Sequence, residues 1–318
     1  MTSAASYLPT PEPSRRGGGR AAREGTGLIT WSLFFSQIFN GLTLGALLVL
    51  VAMGLTIIFG ALGVVNFAHG AFYAAGAYAG YVAYARTGSF ELAMASGAAV
   101  LLLLGVVVER GLIRLYYRRP KEDQILVTFG VGIVVVEAIR AIFGGIAQRV
   151  EVPHWGEGAV RFGLLLYPTY RIEVLGIVAA ALVALYLVLY RTRLGLIVRA
   201  GIEDQLMVSI LGINVTRTFL TVFGLGAMAA GFAGVINAPI VTVNPDMGAD
   251  VLVQSFVVIV IGGVGSFWGA VVGGLIAGEI LSLTAMVQPA YSQVMLFMAM
   301  ALVLILRPQG LFGVQGRQ

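Results

Sequence analysis

Gln37, Asn40 and Thr43 follow one another at steps of three, which places two amides and a hydroxyl on one face of a helix. Inside an apolar run, such a stripe can exchange hydrogen bonds with a zwitterionic or amide solute without presenting a charge that would trap it. These three residues are candidates for a substrate pathway. The competing assignment is hydrogen bonding from helix to helix. Thr56 and the segment Asn66-Phe67-Ala68-His69-Gly70 extend the polar series. His69 could act as a gate, a proton relay or an imidazole holding a helix end. A structural or gating role is preferred, because the only evident carboxylates in apolar runs are Glu137 and Glu279. Glu137 has Arg140 three residues on, which explains it as a helical pair. Glu279 has no obvious local partner and is a candidate for the bundle interior.

The same inventory excludes most covalent chemistry. There is no cysteine, so disulfides, thiolate nucleophiles and cysteine-ligated zinc are absent. His69 and His154 are the only histidines, which is poor material for a metal site or a membrane-embedded enzyme. No GxxxxGK[ST] occurs, nor a GxGxxG between strand and helix, so the chain shows no nucleotide site. Energy from ATP would have to arrive through another subunit.

The elements that must position these groups are membrane helices. Of 318 residues, 58% are hydrophobic and 11% charged, with mean hydropathy +0.92. A soluble globule needs about a quarter charged residues. The net charge of +5 comes from arginines that flank apolar runs, which points to topology rather than nucleic acid. After a polar, arginine-bearing tail over 1–27, expected to be disordered, a transmembrane domain covers 28–307 and a short tail 308–318. Apolar runs at 28–59, 71–85, 91–108, 125–147, 164–190, 218–240, 250–262, 267–287 and 291–306 predict an all-α polytopic bundle of eight or nine spans. The run 250–262 is short and ends in a glycine cluster, so a broken or re-entrant helix is allowed there. Pairs Gly41/Gly45, Gly76/Gly80, Gly269/Gly273 and Gly274/Gly278 predict close helix contacts.

Arginines at 110, 114, 118 and 119 with Lys121, and at 191, 193, 199 and 217, mark two cytoplasmic connections. Residues 148–163 and 241–250 then face outward. Nine crossings ending inside at Arg307 put the amino terminus outside, against the tail arginines. A re-entrant run, a turn hidden in the first run, or a tail that disobeys the rule would each resolve this. Gly63-Val-Val-Asn-Phe-Ala-His-Gly70 also echoes Gly263-Val-Gly-Ser-Phe-Trp-Gly269, each preceding a glycine-paired helix.

The stretch 191–217 is too polar to span and too patterned for a plain loop. Val198, Ile202, Leu206 and Ile210 recur every four residues, with Glu203 and Asp204 off that row, and Gly212 suits a left-handed cap. An amphipathic helix whose central face is acidic favours docking to a partner over lying on lipid.

Five segments together resemble the permease subunits of ABC importers for branched-chain amino acids, of the LivH type. They are FNGLTLGALLVLVAMGLTIIFGALGVVNFAHGAFYAAGAY (39–78), RAGIEDQLMVSILGIN (199–214), GFAGVI (231–236), VVIVIGGVGSFWGAVVGG (257–274) and LRPQGLFG (306–313). The resemblance covers nearly everything after about residue 35. It implies a bacterial inner-membrane importer built from this permease, a second related permease (or a second copy), two cytoplasmic ATPases that use ATP and magnesium, and a periplasmic solute-binding protein. It implies no cofactor on this chain. The implied solutes are branched-chain or other hydrophobic amino acids; urea or short-chain amides on the same scaffold are the alternative, and an ion-coupled secondary transporter is the rival of another class. By the same resemblance, Asn66 and His69 fall near the translocation path. Arg199, Glu203, Asp204, Gly212, Ile213 and Asn214 fall in the loop that couples to the ATPase. Three departures stand out: Ala71 where the family often has Glu, Val208 where many members have Ala, and the arginine-rich tail.

Overall fold

A computed structural model describes residues 18–313, apart from Arg118, Leu164 and Asp204. The chain order is α1 (Gly18–Leu62), α2 (His69–Thr87), α3 (Phe90–Gly111), α4 (Lys121–Phe143), strands β1 (Ala159–Phe162) and β2 (Leu165–Pro168), α5 (Thr169–Arg191), α6 (Arg193–Glu203), α7 (Gln205–Ile210), α8 (Val215–Asn237), α9 (Gly248–Gly262), α10 (Phe267–Val287) and α11 (Ser292–Leu306). Among the described residues, seven helices are long and apolar enough to cross a membrane. With α2 and the shorter α9 beside them, they form the helical bundle that the composition calls for.

The bundle is held by backbone contact at glycines. A methyl added at Gly278 of α10 would lie 2.3 Å from Gly41 O and Gly45 N of α1. One added at Gly76 of α2 would lie 2.2 Å from Gly231 Cα of α8. With no aqueous driving force between helices in lipid, such close approach maximises dispersion contact. Tyr73 strengthens the α2–α8 seam by accepting a 2.5 Å hydrogen bond from Asn237 Nδ2.

Helix starts follow local chemistry. Ser89, Asn214 and Ser266 each accept from a backbone N–H two or three residues into α3, α8 and α10, at 3.2, 3.0 and 3.0 Å. α2 ends at Gly88, which takes φ +68°. The two echoing segments share a form: a glycine with positive φ, Gly63 at +67° or Gly263 at +102°, leads through a short connection into the next helix.

Three boundaries differ from expectation. α1 begins at Gly18, so residues 18–27 are helical, while 1–17 lie outside the described residues. The apolar run 164–190 starts with a strand, β2, paired antiparallel to β1 with Ala159 opposite Pro168; Pro168 precedes the first helical residue. Residues 308–313 are packed rather than a tail. Leu311 and Phe312 donate to Ile261 O and Gly262 O at 2.9 Å each, satisfying carbonyls at the end of α9.

The two ends of the bundle sort as the arginines require. Gln148 and Val243 exchange backbone hydrogen bonds of 2.7 and 2.8 Å, joining the two connections expected to face outward. Arg140 pairs with Glu137 at 2.5 Å and reaches across to Asp246 at 2.9 Å. At the opposite end, the last turn of α1, Arg114, Gly201 and Asn214 line one cavity. α1 is unbroken between Tyr167's neighbour Thr43 and that cavity, so it hides no turn.

Candidate functional site

The amide and hydroxyl stripe of α1 lies where α1 meets β2, α5 and α10. Asn40 Nδ2 donates to Gln37 Oε1 at 2.8 Å, and Ser282 Oγ of α10 donates to Gln37 O at 2.7 Å. Arg171 of α5 donates to Asn40 Oδ1. Thr43 donates to Phe39 O at 3.0 Å and lies 3.1 Å from Tyr167 OH. Gln37 and Asn40 are half-buried, while Thr43 is buried. The stripe therefore ties α1 to three other elements, and its two amides are only half-buried.

Asn66 and His69 lie apart from that stripe and are fully buried. Asn66 Oδ1 accepts from Ala68 N at 3.1 Å, and His69 Nε2 is 3.0 Å from Val51 O, in the later half of α1. Thr128 of α4 accepts from Phe67 N and donates to Val65 O. These bonds hold the connection 63–68 inside the bundle, so α2 begins in the interior. α9 begins beside it: a methyl at Gly248 would lie 1.9 Å from Gly70 O. Two helix amino termini thus meet between longer helices, a feature of transporters whose discontinuous helices direct positive dipole ends at a solute path. Asn66 Nδ2 and His69 Nδ1 are buried without a hydrogen-bond partner.

At the arginine-bearing end, Glu109 is fully buried and accepts from Arg114 at 3.1 Å and Tyr117 OH at 2.7 Å. Burial, and then the hydrogen bond to that carboxylate, push the Tyr117 hydroxyl pKa well above its ordinary value. This trio fixes the turn Ile113–Tyr116 against α8, where Tyr117 meets Phe219 edge to face. It forms one wall of a cavity of about 2040 Å³, open mouth included, whose other walls are α1, α6–α7 and the start of α8.

The proposed coupling set divides. Arg199 folds back onto the bundle, donating to Leu189 O with its guanidinium 5.2 Å from the Tyr190 ring. Gly212 takes φ +76°, the left-handed cap expected. Ile213 is half-buried and Asn214 caps α8. Glu203 ends α6, and Asp204 lies outside the described residues. The four-residue row is corrected at its end: Ile210 is 69% exposed, whereas Val208 and Val198 are each 4% exposed. A strict step of four slips about 40° per step even within one helix, and this row passes from α6 into α7, so Ile210 does not keep the face of Val198. Leu196, Met207, Ile210 and Leu211 are thereby left as exposed large apolar groups, which the sequence reading missed.

Residues 37–304 match the family described as branched-chain amino acid transport system / permease component. The chain belongs to that family. This permease is a multi-pass membrane protein. The high-affinity branched-chain amino acid transport system permease protein LivH of Escherichia coli K12 is 31% identical over 297 residues, covering 88% of this chain and 96% of the relative. BraD of Pseudomonas aeruginosa, a permease protein of the same description, is 29% identical over 300 residues, with the same coverage. LivM of Salmonella typhimurium, also so described, is 29% identical over 301 residues, 85% of this chain and 68% of the relative. No solved structure matches the chain.

Proposed function

We propose that this permease is the membrane subunit of an ATP-driven importer for branched-chain or other hydrophobic amino acids in the bacterial inner membrane. It works beside a second permease of related or identical sequence. Two cytoplasmic ATPases, using ATP and magnesium, supply the energy, and a periplasmic binding protein delivers the solute. The observation that carries this reading is the arm α6–α7. It stands at the arginine-bearing end, lines the cavity there, and turns Leu196, Met207, Ile210 and Leu211 outward. Large apolar groups left exposed on such an arm mark a surface that a partner covers.

ATP-driven closure of the ATPases moves this arm, and the arm moves the bundle between outward-open and inward-open forms. In the conformation described, Gln37 and Asn40 are the pathway residues a solute could meet first; Thr43, Asn66 and His69 frame the passage. Solute choice rests mainly with the binding protein. The pathway needs only weak contacts that never hold the solute.

The test replaces 200–212 by a Gly/Ser linker in the reconstituted complex. Loss of ATPase association and of transport is expected. Undiminished transport refutes the coupling assignment. Retention of urea or an amide, instead of an aliphatic amino acid, by the cognate binding protein moves the solute to the alternative class. Uptake by this chain alone under an ion gradient supports a secondary transporter.

A further inference from the structure

A second cavity lies where the later half of α1 meets the α5–α6 corner and the turn before α10. It offers about 80 Å³ to water-sized occupants, and about 470 Å³ when all the space of its open mouth is counted. Met53, Ile57, Val198 and Phe267 form its apolar wall, and all four are buried. Tyr190, Arg199 and Gly265 are the exposed part of the lining, so they form the mouth.

Thr56 is the anomaly. A threonine inside a helix commonly bonds the carbonyl four residues back, as Thr43 does to Phe39. Thr56 also lines this cavity; the residue is only 4% exposed, and its buried Oγ1 has no hydrogen-bond partner. A buried hydroxyl is costly to leave unpaired. The cavity thus combines a cation at its mouth, an unsatisfied hydroxyl in its wall and an aliphatic and aromatic lining. A guanidinium presents five donors in a fork that fits a carboxylate, more than the bond to Leu189 O consumes.

We propose that this cavity binds a free aliphatic amino acid from the cytoplasmic side, its carboxylate on Arg199, its polar head bonded to Thr56 Oγ1, and its side chain against Met53, Ile57, Val198 and Phe267. The occupant joins Thr56 of α1 to Arg199 of α6. It therefore pins the arm to the bundle, so imported product slows the ATP cycle. This regulatory part rests on the importer reading; binding itself does not.

The experiment uses the importer complex without its binding protein, in phosphatidylcholine nanodiscs, with tritiated L-leucine in equilibrium dialysis. Saturable binding, one leucine per copy of this chain, is expected. ATP turnover should fall over the same leucine range. Thr56→Val should weaken binding about tenfold, the loss of one buried hydrogen bond, and Ile57→Trp should abolish it by filling the cavity. Absence of saturable binding overturns the proposal, as does binding that Thr56→Val leaves unchanged, even where Ile57→Trp fails to assemble. Co-purified phosphatidylglycerol that Ile57→Trp releases, with no leucine bound, overturns it in favour of an anionic lipid. A preparation that binds leucine at this cavity but hydrolyses no ATP sinks the importer reading alone. An ATP-hydrolysing complex that binds none sinks this site alone.

Discussion

His69 Nε2 lies 3.0 Å from the carbonyl oxygen of Val51, tying the first turn of α2 to the later half of α1. That bond anchors a helix that starts inside the bundle. His69→Leu should lower stability by about 1 kcal/mol, the usual worth of one such bond. Thermal unfolding in detergent would show it. Transport should persist in the variant; complete loss of transport by an intact complex would instead favour a proton relay.

Gly278→Ala tests the α1–α10 seam. The added methyl would meet Gly41 O and Gly45 N at 2.3 Å, so the helices must separate, at a cost of about 1–3 kcal/mol. Gly176 of α5 has open space around its missing side chain. Gly176→Ala should leave the unfolding midpoint unchanged or raise it, since alanine is the better helix former. Equal effects at both positions would contradict the seam.

Tyr117→Phe tests the buried trio. It removes the donor to Glu109 and should cost about 1–3 kcal/mol. The folded-state pKa of Tyr117 is raised above its unfolded value of about 10. Its contribution is therefore complete below pH 10 and declines as pH climbs from there toward the folded pKa. Unfolding midpoints measured from pH 7 to 11 should fall on the alkaline side in the wild type, and less steeply in Tyr117→Phe.

Leu211→Glu tests the arm. Leu211 is 71% exposed, so the change should not disturb the isolated permease. Burying a carboxylate in an apolar contact is costly. Co-purification of the ATPases should drop at least about tenfold, with the unfolding midpoint of the permease alone unaltered. Normal co-purification would show that the patch faces no partner.

Much of this bundle was legible because hydropathy and small-residue spacing report directly on lipid and on helix contact. Gly41, Gly45, Gly274 and Gly278 do meet, and Arg114 does share one cavity with the arm and the start of α8. What escaped depends on three-dimensional phase and on pairing between distant segments. The slip of the four-residue row hid the exposure of Ile210. Leu311 and Phe312 look like a tail until their N–H groups reach α9, some 50 residues earlier in the chain. For the stripe Gln37, Asn40 and Thr43, sequence could state both assignments but not choose, since Ser282, Arg171 and Tyr167 come from remote segments. Thr56 was read as one polar residue among several; only the cavity makes its unpaired oxygen conspicuous.

Main chains that touch without intervening side chains have no slack to shear. α1 with α10, and α2 with α8, must then travel as one solid piece. Whatever gating this permease performs falls to the helices around that block, whose outward faces carry the large side chains able to slide and repack.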